Sequence, residues 1–135
     1  MKYYFNKVLS NTSFDEALTL VTEELKKEGF GVLTEIDVKT TLKNKIDVDF
    51  KKYTILGACN PGFAHRALQV DDKVGVSLLP CNVVVEENEE GKIEVSAIDP
   101  MALTPVIGND AINEIAAGVK QKLERVIKNL NPKNS

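Results

Sequence analysis

The sequence predicts an α+β domain in which helices pack on one side of a mainly antiparallel sheet and a long helix closes the chain. Two strand-like segments, 82–87 and 92–98, flank the turn Asn88-Glu89-Glu90-Gly91 and indicate a hairpin. This run of strands in the second half favours an antiparallel sheet over a doubly wound parallel one. Apolar residues then recur with a helical period to about residue 130, which predicts a helix that covers one face of the sheet.

The first strand is predicted over residues 2–9, which are rich in Tyr, Phe and Val. Ser13 is expected to start a helix as part of a capping box, because Glu16 follows three residues later and can reach back to the Ser13 amide. Gly29 is placed to end that helix in a left-handed conformation. The apolar face of the helix is predicted to consist of Phe14, Ala17, Leu18, Val21 and Leu25.

A second strand is predicted over 30–36, a short surface helix over 38–46 and a central third strand over 53–58. The inward candidates of the second strand are Phe30, Val32 and Leu33. Val38, Leu42 and Ile46 recur every four residues in the short helix, among polar neighbours.

Asn60 is expected to cap a further helix and Pro61 to occupy its first turn. The buried side of this helix is predicted to comprise Phe63, Ala64, Ala67 and Leu68. Residues 74–79 and 82–87 are predicted as strand segments that are interrupted or bent at Pro80, and 101–109 as an irregular connection.

The long closing helix is predicted from Asp110 to about Leu130. Its apolar stripe consists of Ile112, Ile115, Ala116, Val119, Leu123, Val126, Ile127 and Leu130. Residues 1–131 are therefore expected to form one domain, followed by a polar tail at 132–135, and the 135-residue chain is long enough for a single core.

Charge and hydropathy narrow the classes of partner. The net charge is −3, acidic residues gather at 86–90, and no basic stripe is present, so nucleic-acid binding is not expected. No segment approaches the roughly 18 apolar residues that span a bilayer, and residues 1–7 lack the apolar stretch of a secretory signal. We therefore expect a soluble cytoplasmic protein with no membrane partner, in which thiols are normally reduced.

Cys59 and Cys81 are the residues best suited to chemistry. Cys59 stands at the end of a predicted strand and just before a predicted helix, whose free amides favour a thiolate. Cys81 follows the bend at Pro80, and the two thiols could meet at one end of the sheet and form a reversible disulfide if the third and fourth strands are neighbours. Otherwise they lie on opposite faces or on different strands. The alternative is that both cysteines are small buried hydrophobes, as free cysteines often are.

A soft-metal site is a second hypothesis for the same region. His65 is the only histidine, and with Cys59 and Cys81 it would form a Cys2His set that suits zinc or copper(I). This set is one ligand short of a closed tetrahedral zinc site, and Asp99 is a conceivable fourth ligand. The alternative is that His65 is an exposed helix residue. No serine-hydrolase elbow, phosphate-binding glycine loop or His-Glu-x-x-His motif is present in the sequence.

Several motifs together resemble domain-of-unknown-function family 302: Leu56-Gly57-Ala58-Cys59-Asn60-Pro61, Leu78-Leu79-Pro80-Cys81-Asn82-Val83-Val84-Val85 and Asp99-Pro100. The resemblance covers nearly the whole chain. It implies a curved antiparallel sheet of the TATA-binding-protein-like type and association as a homodimer, but no catalytic assignment. The positions that correspond to the family motif are Cys59, Asn60, Pro61, Pro80 and Cys81, which makes them the candidate ligand-binding residues; His65 is not part of the motif.

Three functions are consistent with these observations. The first is a binding or regulatory domain that holds a small ligand or a soft metal ion in a pocket near Cys59 and Cys81, between the sheet and the long helix. The second is a thiol redox protein or enzyme that uses Cys59 as the thiolate and Cys81 as the resolving partner. The third is a structural dimer module in which the motif performs no chemistry.

Overall fold

A computed structural model describes residues 2–131 as an α+β domain built on a five-stranded sheet. The strands are β1 (Tyr4–Leu9), β2 (Gly31–Asp37), β3 (Tyr53–Cys59), β4 (Cys81–Glu87) and β5 (Ile93–Ile98). The helices are α1 (Phe14–Lys27), α2 (Val38–Ile46), α3 (Pro61–Val70), α4 (Thr104–Ile107) and α5 (Asp110–Lys128), with 3₁₀ turns at Asp72–Val76 and Pro100–Ala102. The predicted tail at 132–135 lies outside the described residues.

The sheet has the order β1-β5-β4-β3-β2, and its four strand pairings are antiparallel. Alternate residues of each strand point to opposite faces. One face packs against α1 and α5, and the core between them includes Val21, Leu25, Val83, Val95 and Leu123. The predicted fold class is thereby confirmed. None of the helices within residues 2–131 combines the length and the apolar character that crossing a membrane requires.

Both ends of α1 show the capping residues that the sequence predicted. The Ser13 hydroxyl accepts a hydrogen bond from the Glu16 amide at 3.1 Å, and it lies 3.2 Å from a Glu16 carboxylate oxygen. The Glu16 carboxylate thus pairs with the Ser13 hydroxyl, whereas the capping-box prediction had paired it with the amide. Gly29 follows the end of α1 with a φ of +85°, the left-handed conformation that its position predicted.

The segment 74–79 was predicted as a strand, and this prediction is wrong. The Asp71 carboxylate accepts from the Lys73 amide, and the chain coils into a 3₁₀ turn. The Val74 carbonyl then accepts from the amides of the next residues, 77–79, so these amides are unavailable to a sheet. Val74 itself is buried against Ala67 and Ile112. Tertiary packing of one valine therefore outweighs the strand propensity of the segment.

Two side chains predicted to be buried are exposed. Leu33 was an inward candidate, but the β2–β3 register shifts between Val32 and Thr34, and Leu33 at this bulge is 68% exposed. Leu68 was predicted on the buried side of α3, but it is 40% exposed because Ala64 and Ala67 define the inward stripe. The connection 101–109, predicted to be irregular, contains α4 and a 3₁₀ turn.

Candidate functional site

Both cysteines lie at one end of the sheet. Cys59 ends β3 and Cys81 begins β4, and the antiparallel register places Ala58 opposite Cys81. The third and fourth strands are neighbours, so the condition for the thiols to meet is fulfilled, but the meeting itself stays a prediction. Both are free thiols that line the same cavity; Cys59 is half-buried and Cys81 is buried.

The cavity is small and mainly apolar. It has a volume of about 30 Å³, which gives room for about two water molecules. It lies between the end of the sheet, α3 and α5. Its polar lining consists of Asn60 and the two cysteines. The other lining residues are Phe30, Ala58, Phe63, Ala64, Ala67, Leu78, Leu79, Pro100, Ile112, Ile115, Ala116 and Val119.

At this end of the cavity, the Asn60 side chain forms hydrogen bonds with two helices. Its side-chain oxygen accepts from the Phe63 amide at 3.3 Å and so caps α3, as the sequence predicted. Its side-chain NH₂ group donates to the Glu28 carbonyl at the end of α1, also at 3.3 Å. Gly29 gives Asn60 room to do so, because a Cβ at Gly29 would lie 2.9 Å from the Asn60 Nδ2 atom.

Glu28 extends this connection to α5. Its carboxylate accepts from Arg125 at 3.1 Å and 2.8 Å, and Lys122 lies 3.9 Å away. The hydrogen bond from Arg125 lowers the pKa of Glu28. The Cys-Asn-Pro segment is therefore connected through Glu28 to both helices that cover the sheet.

Phe63 fits against α5 because Gly118 carries no side chain. A Cβ at Gly118 would lie 2.9 Å and 3.0 Å from two atoms of the Phe63 ring. The Arg66 guanidinium lies 4.7 Å from the centre of the same ring, within the range of a cation–π contact. Phe63 thus forms a cavity wall that is held from both sides.

The two motif prolines lie outside the cavity. Pro61 is exposed at the first turn of α3, as predicted. Pro80 follows a cis peptide bond and packs near Gly57, where a Cβ would come within 3.0 Å of the proline ring. Of the five candidate ligand-binding residues, the structure brings Cys59, Asn60 and Cys81 to the cavity but leaves Pro61 and Pro80 beside it.

The Cys2His set is not assembled. His65 is exposed on α3 and does not line the cavity, since its neighbours Ala64 and Ala67 occupy the inward side. Asp99 caps a 3₁₀ turn by accepting from the Met101 amide and lies 3.9 Å from Lys120. Residues 2–131 contain no group of three or more histidine, cysteine, aspartate or glutamate side chains placed to hold a metal ion.

Burial makes Cys81 a poor acid. Its side chain is 6% exposed, and desolvation, followed by the nearby Cys59, raises the pKa of its thiol to about 11. The sulfur lies 3.7 Å from the Leu78 carbonyl, to which the thiol donates. Cys81 therefore remains a neutral thiol at physiological pH.

This pKa predicts an alkaline loss of stability. Because the pKa is higher in the folded protein than its ordinary value near 9, the stabilisation is complete below pH 9 and is lost as the pH rises towards 11. The free energy of unfolding should fall by about 1 kcal/mol more in wild type than in Cys81→Ala between pH 8 and pH 10. Urea unfolding at both pH values measures this difference. Equal losses in the two proteins would contradict it, and Cys59→Ala is the matched control.

The sequence predicted a pocket between the sheet and the long helix, but it did not identify most of the residues that form the wall. Ala64, Ala67 and the α5 residues Ile112, Ala116 and Val119 were predicted only as buried helix residues. The one usable signal is the small size of Ala58, Ala64, Ala67 and Ala116, which leaves space at a strand end that larger residues would fill.

Fold and site together define the class of protein: a five-stranded antiparallel α+β domain with a small apolar cavity at one end of its sheet. Residues 5–130 match the family described as Domain of unknown function DUF302, and the chain belongs to this family. The chain is similar to the crystal structure of an uncharacterized conserved DUF302 protein from Bacillus stearothermophilus, with 31% identity, a TM-score of 0.88, and coverage of 97% of this chain and 100% of that one. The comparison with curated proteins found no match.

Proposed function

We propose that this protein is a small-ligand binding domain whose site is the cavity beside Cys59, Asn60 and Cys81. The observation that carries the proposal is that the two separate motif segments, Cys-Asn-Pro and Leu-Pro-Cys, each contribute to one cavity between sheet and helices. We infer that these segments are the family's characteristic site. A mainly apolar cavity with a few polar groups on one side is the usual form of a small-molecule site.

The lining selects the chemistry of the ligand. Twelve apolar residues surround three polar ones in the wall, so a small apolar group would enter and the thiols and the Asn60 amide would orient it. The volume of about 30 Å³ restricts this group to a few heavy atoms unless Phe63 or Leu79 moves. The site fits a zinc ion less well than a small apolar group. Structural zinc takes four protein ligands, and residues 2–131 place no third ligand beside the two cysteines.

Xenon tests whether the cavity admits an apolar group. Methyl NMR under xenon pressure should shift the signals of Ala64, Ala67 and Ala116 in wild type. Ala64→Met fills the cavity with a flexible side chain and should abolish these shifts. Ala111→Met, on the exposed side of α5, is the matched control.

Native mass spectrometry of the same three proteins then tests whether the cavity is used. An organic mass carried by wild type and Ala111→Met, but absent from Ala64→Met, is the expected result. A metal mass that disappears in Cys59→Ser/Cys81→Ser would favour the soft-metal alternative. Ligand binding would be contradicted if xenon does not change the chemical shifts of the cavity methyl groups and the wild type carries no additional mass.

Thiol redox chemistry is the second candidate, favoured by the half-exposed Cys59 beside the buried Cys81. Peroxide would oxidise the Cys59 thiolate to a sulfenic acid with release of hydroxide, and Cys81 would then displace water to form a disulfide. The raised pKa of Cys81 disfavours this second step, because the attacking species is the thiolate. An intramolecular disulfide after peroxide treatment, seen as the loss of two hydrogen masses, would favour the redox function.

We also propose a TATA-binding-protein-like curvature of the sheet and a homodimer, both implied by the sequence resemblance, and a cytoplasmic location, which the absence of a signal-like segment in residues 1–7 favours. A structural dimer module is the corresponding function. Light scattering coupled to size-exclusion chromatography measures the mass directly, and a monomer mass across the accessible concentration range would contradict the dimer.

A further inference from the structure

A second and larger concavity lies on the sheet face opposite α1 and α5. Strand residues that alternate with the core residues line a groove of about 410 Å³, to which β1, β3, β4 and β5 contribute. This volume lies within the range of small-molecule sites and far exceeds the 30 Å³ of the cavity beside the cysteines. The residues that decide its chemistry are Tyr3, Tyr4, Tyr53, Glu86 and Glu94.

Two carboxylates stand directly opposite each other in this groove. Glu86 on β4 and Glu94 on β5 are register partners in the middle of the sheet. Like charges in directly opposite positions destabilise a strand pair. A cation beside either carboxylate reduces this cost, and Lys51 already supplies one at Glu86.

Lys51 shows that an ammonium group fits this environment. Its Nζ atom lies 2.6 Å from a Glu86 carboxylate oxygen. It also lies 5.8 Å and 6.0 Å from the ring centres of Phe50 and Tyr53, within cation–π distance. Glu86 is therefore neutralised by the chain itself, in the combination of carboxylate and aromatic rings that binds ammonium ions.

Glu94 is compensated less directly. None of the ion pairs formed among residues 2–131 includes Glu94, and Lys51 acts on it only at longer range, since the pKa of Lys51 is raised mainly by its hydrogen bond to Glu86 and less by the charge of Glu94. Asn6 and Asn88 each donate a side-chain N–H to one of its two oxygens at 3.1 Å. These bonds fix the carboxylate in the groove without neutralising it. One N–H donor already occupies each oxygen, so Glu94 offers a ligand its negative charge and at most one further acceptor site on each oxygen.

Tyrosine rings supply the remaining recognition surface. Tyr3 and Tyr4 pack edge to face with ring centres 5.1 Å apart, and both line the groove together with Tyr53. The Lys2 ammonium lies 5.9 Å from the Tyr4 ring centre, and the Lys51 ammonium lies 6.0 Å from that of Tyr53, so these rings already attract cations of the chain. Ring faces also pack well against alkyl groups attached to a nitrogen.

We propose that this groove binds a small N-alkylated ammonium cation, held by the charge of Glu94 and the rings of the tyrosines. Such an ion brings charge and apolar surface but needs no N–H acceptor, which matches what Glu94 and the rings offer. The site is independent of the cysteine cavity, because Cys81 faces the helices whereas Glu86 faces the opposite side of β4.

Choline is the probe, and 3,3-dimethylbutan-1-ol is its uncharged analogue of the same shape. In ¹H–¹⁵N correlation spectra at matched ionic strength, choline chloride should shift the amides of Tyr53, Glu86 and Glu94 saturably, while the alcohol should not. Glu94→Gln keeps the side-chain shape and should weaken choline binding at least about tenfold. Glu89→Gln removes the same charge from the exposed turn and should leave binding unchanged.

The spectra of each variant also report whether it is folded, so a lost site is distinguishable from a lost fold. Equal shifts with choline and the alcohol, no saturable shift with choline, or unchanged binding in folded Glu94→Gln would each overturn the proposal. Groove amides that shift with protein concentration in the absence of choline would assign the groove to a second copy of the chain and would overturn it as well.

Discussion

Gly57→Val is expected to lower the free energy of unfolding by about 3 kcal/mol. A Cβ at Gly57 would collide with the Thr34 hydroxyl on β2, and it would lie 3.0 Å and 3.5 Å from two ring atoms of Pro80. Thr34 can rotate, but the Pro80 ring is rigid, and the two methyl groups of valine would meet it on a strand that is paired on both sides. Chemical denaturation at pH 7 measures the loss.

Gly31→Val is the matched control for this substitution. Gly31 lies on the neighbouring strand β2, and a Cβ there would meet no atom within 4 Å. Valine favours strands, so this variant should be neutral or slightly stabilised. Thr34→Ala should restore about 1 kcal/mol to Gly57→Val, because it removes one of the two clashing groups. Equal destabilisation by the two valines would show that the close approach of Pro80 is irrelevant.

The elements that the sequence predicted correctly depend on local chemistry. Ser13 and Asn60 cap their helices through side chains that bond amides only three residues away, and Gly29 adopts the conformation that few other residues tolerate. The hairpin formed by β4 and β5 likewise depends on alternation and a short turn. Such signals are complete within a few residues, so the rest of the molecule is not needed to interpret them.

The segment 74–79 could not be predicted in this way. Its composition favours a strand, but its conformation depends on the burial of Val74 against Ala67 of α3 and Ile112 of α5. Those contacts join parts of the chain that are distant in sequence. The same holds for the cavity wall that α5 supplies, because nothing local to Ala116 or Val119 indicates which strand end they cover.

Helix geometry alone could have ruled out the prediction that His65 joins the two cysteines in a metal site. Ala64 and Ala67 face the cavity, and residue 65 lies about 100° around the helix from residue 64. A histidine at that phase points away from the thiols. Helical phase therefore counts against the Cys2His set, whereas placing Cys59 and Cys81 at one cavity required the strand order, which the sequence left open.

The motif residues divide into two groups with different physical roles. Cys59 and Cys81 line the cavity, and Cys81 is also part of the hydrophobic core. Asn60 and Pro80 instead hold neighbouring elements: Asn60 joins α3 to α1, and Pro80 packs at Gly57. In the proposed binding site, Asn60 and Pro80 would fix the neighbouring elements and the two thiols would line the cavity.

Asn60→Ala is accordingly expected to cost about 2 kcal/mol of folding free energy, the sum of a lost helix cap and a lost hydrogen bond to the Glu28 carbonyl. Asn60→Asp separates the two contributions. It retains the acceptor for the Phe63 amide, but it removes the donor and places a negative charge beside a carbonyl oxygen. Asn44→Ala, on the exposed surface of α2, should change stability by less than about 0.5 kcal/mol.

The comparison of these variants decides what Asn60 contributes. If Asn60→Asp is as stable as wild type, the cap alone matters and the link to α1 is dispensable. If it loses about half of what Asn60→Ala loses, both bonds act, and the cavity depends on Glu28 to keep α1, α3 and α5 in place. Methyl NMR under xenon on Asn60→Asp, with the fold intact, then shows whether loosening this link changes the cavity: altered shifts at Ala64 and Ala116 are expected, because Asn60 lines the same wall.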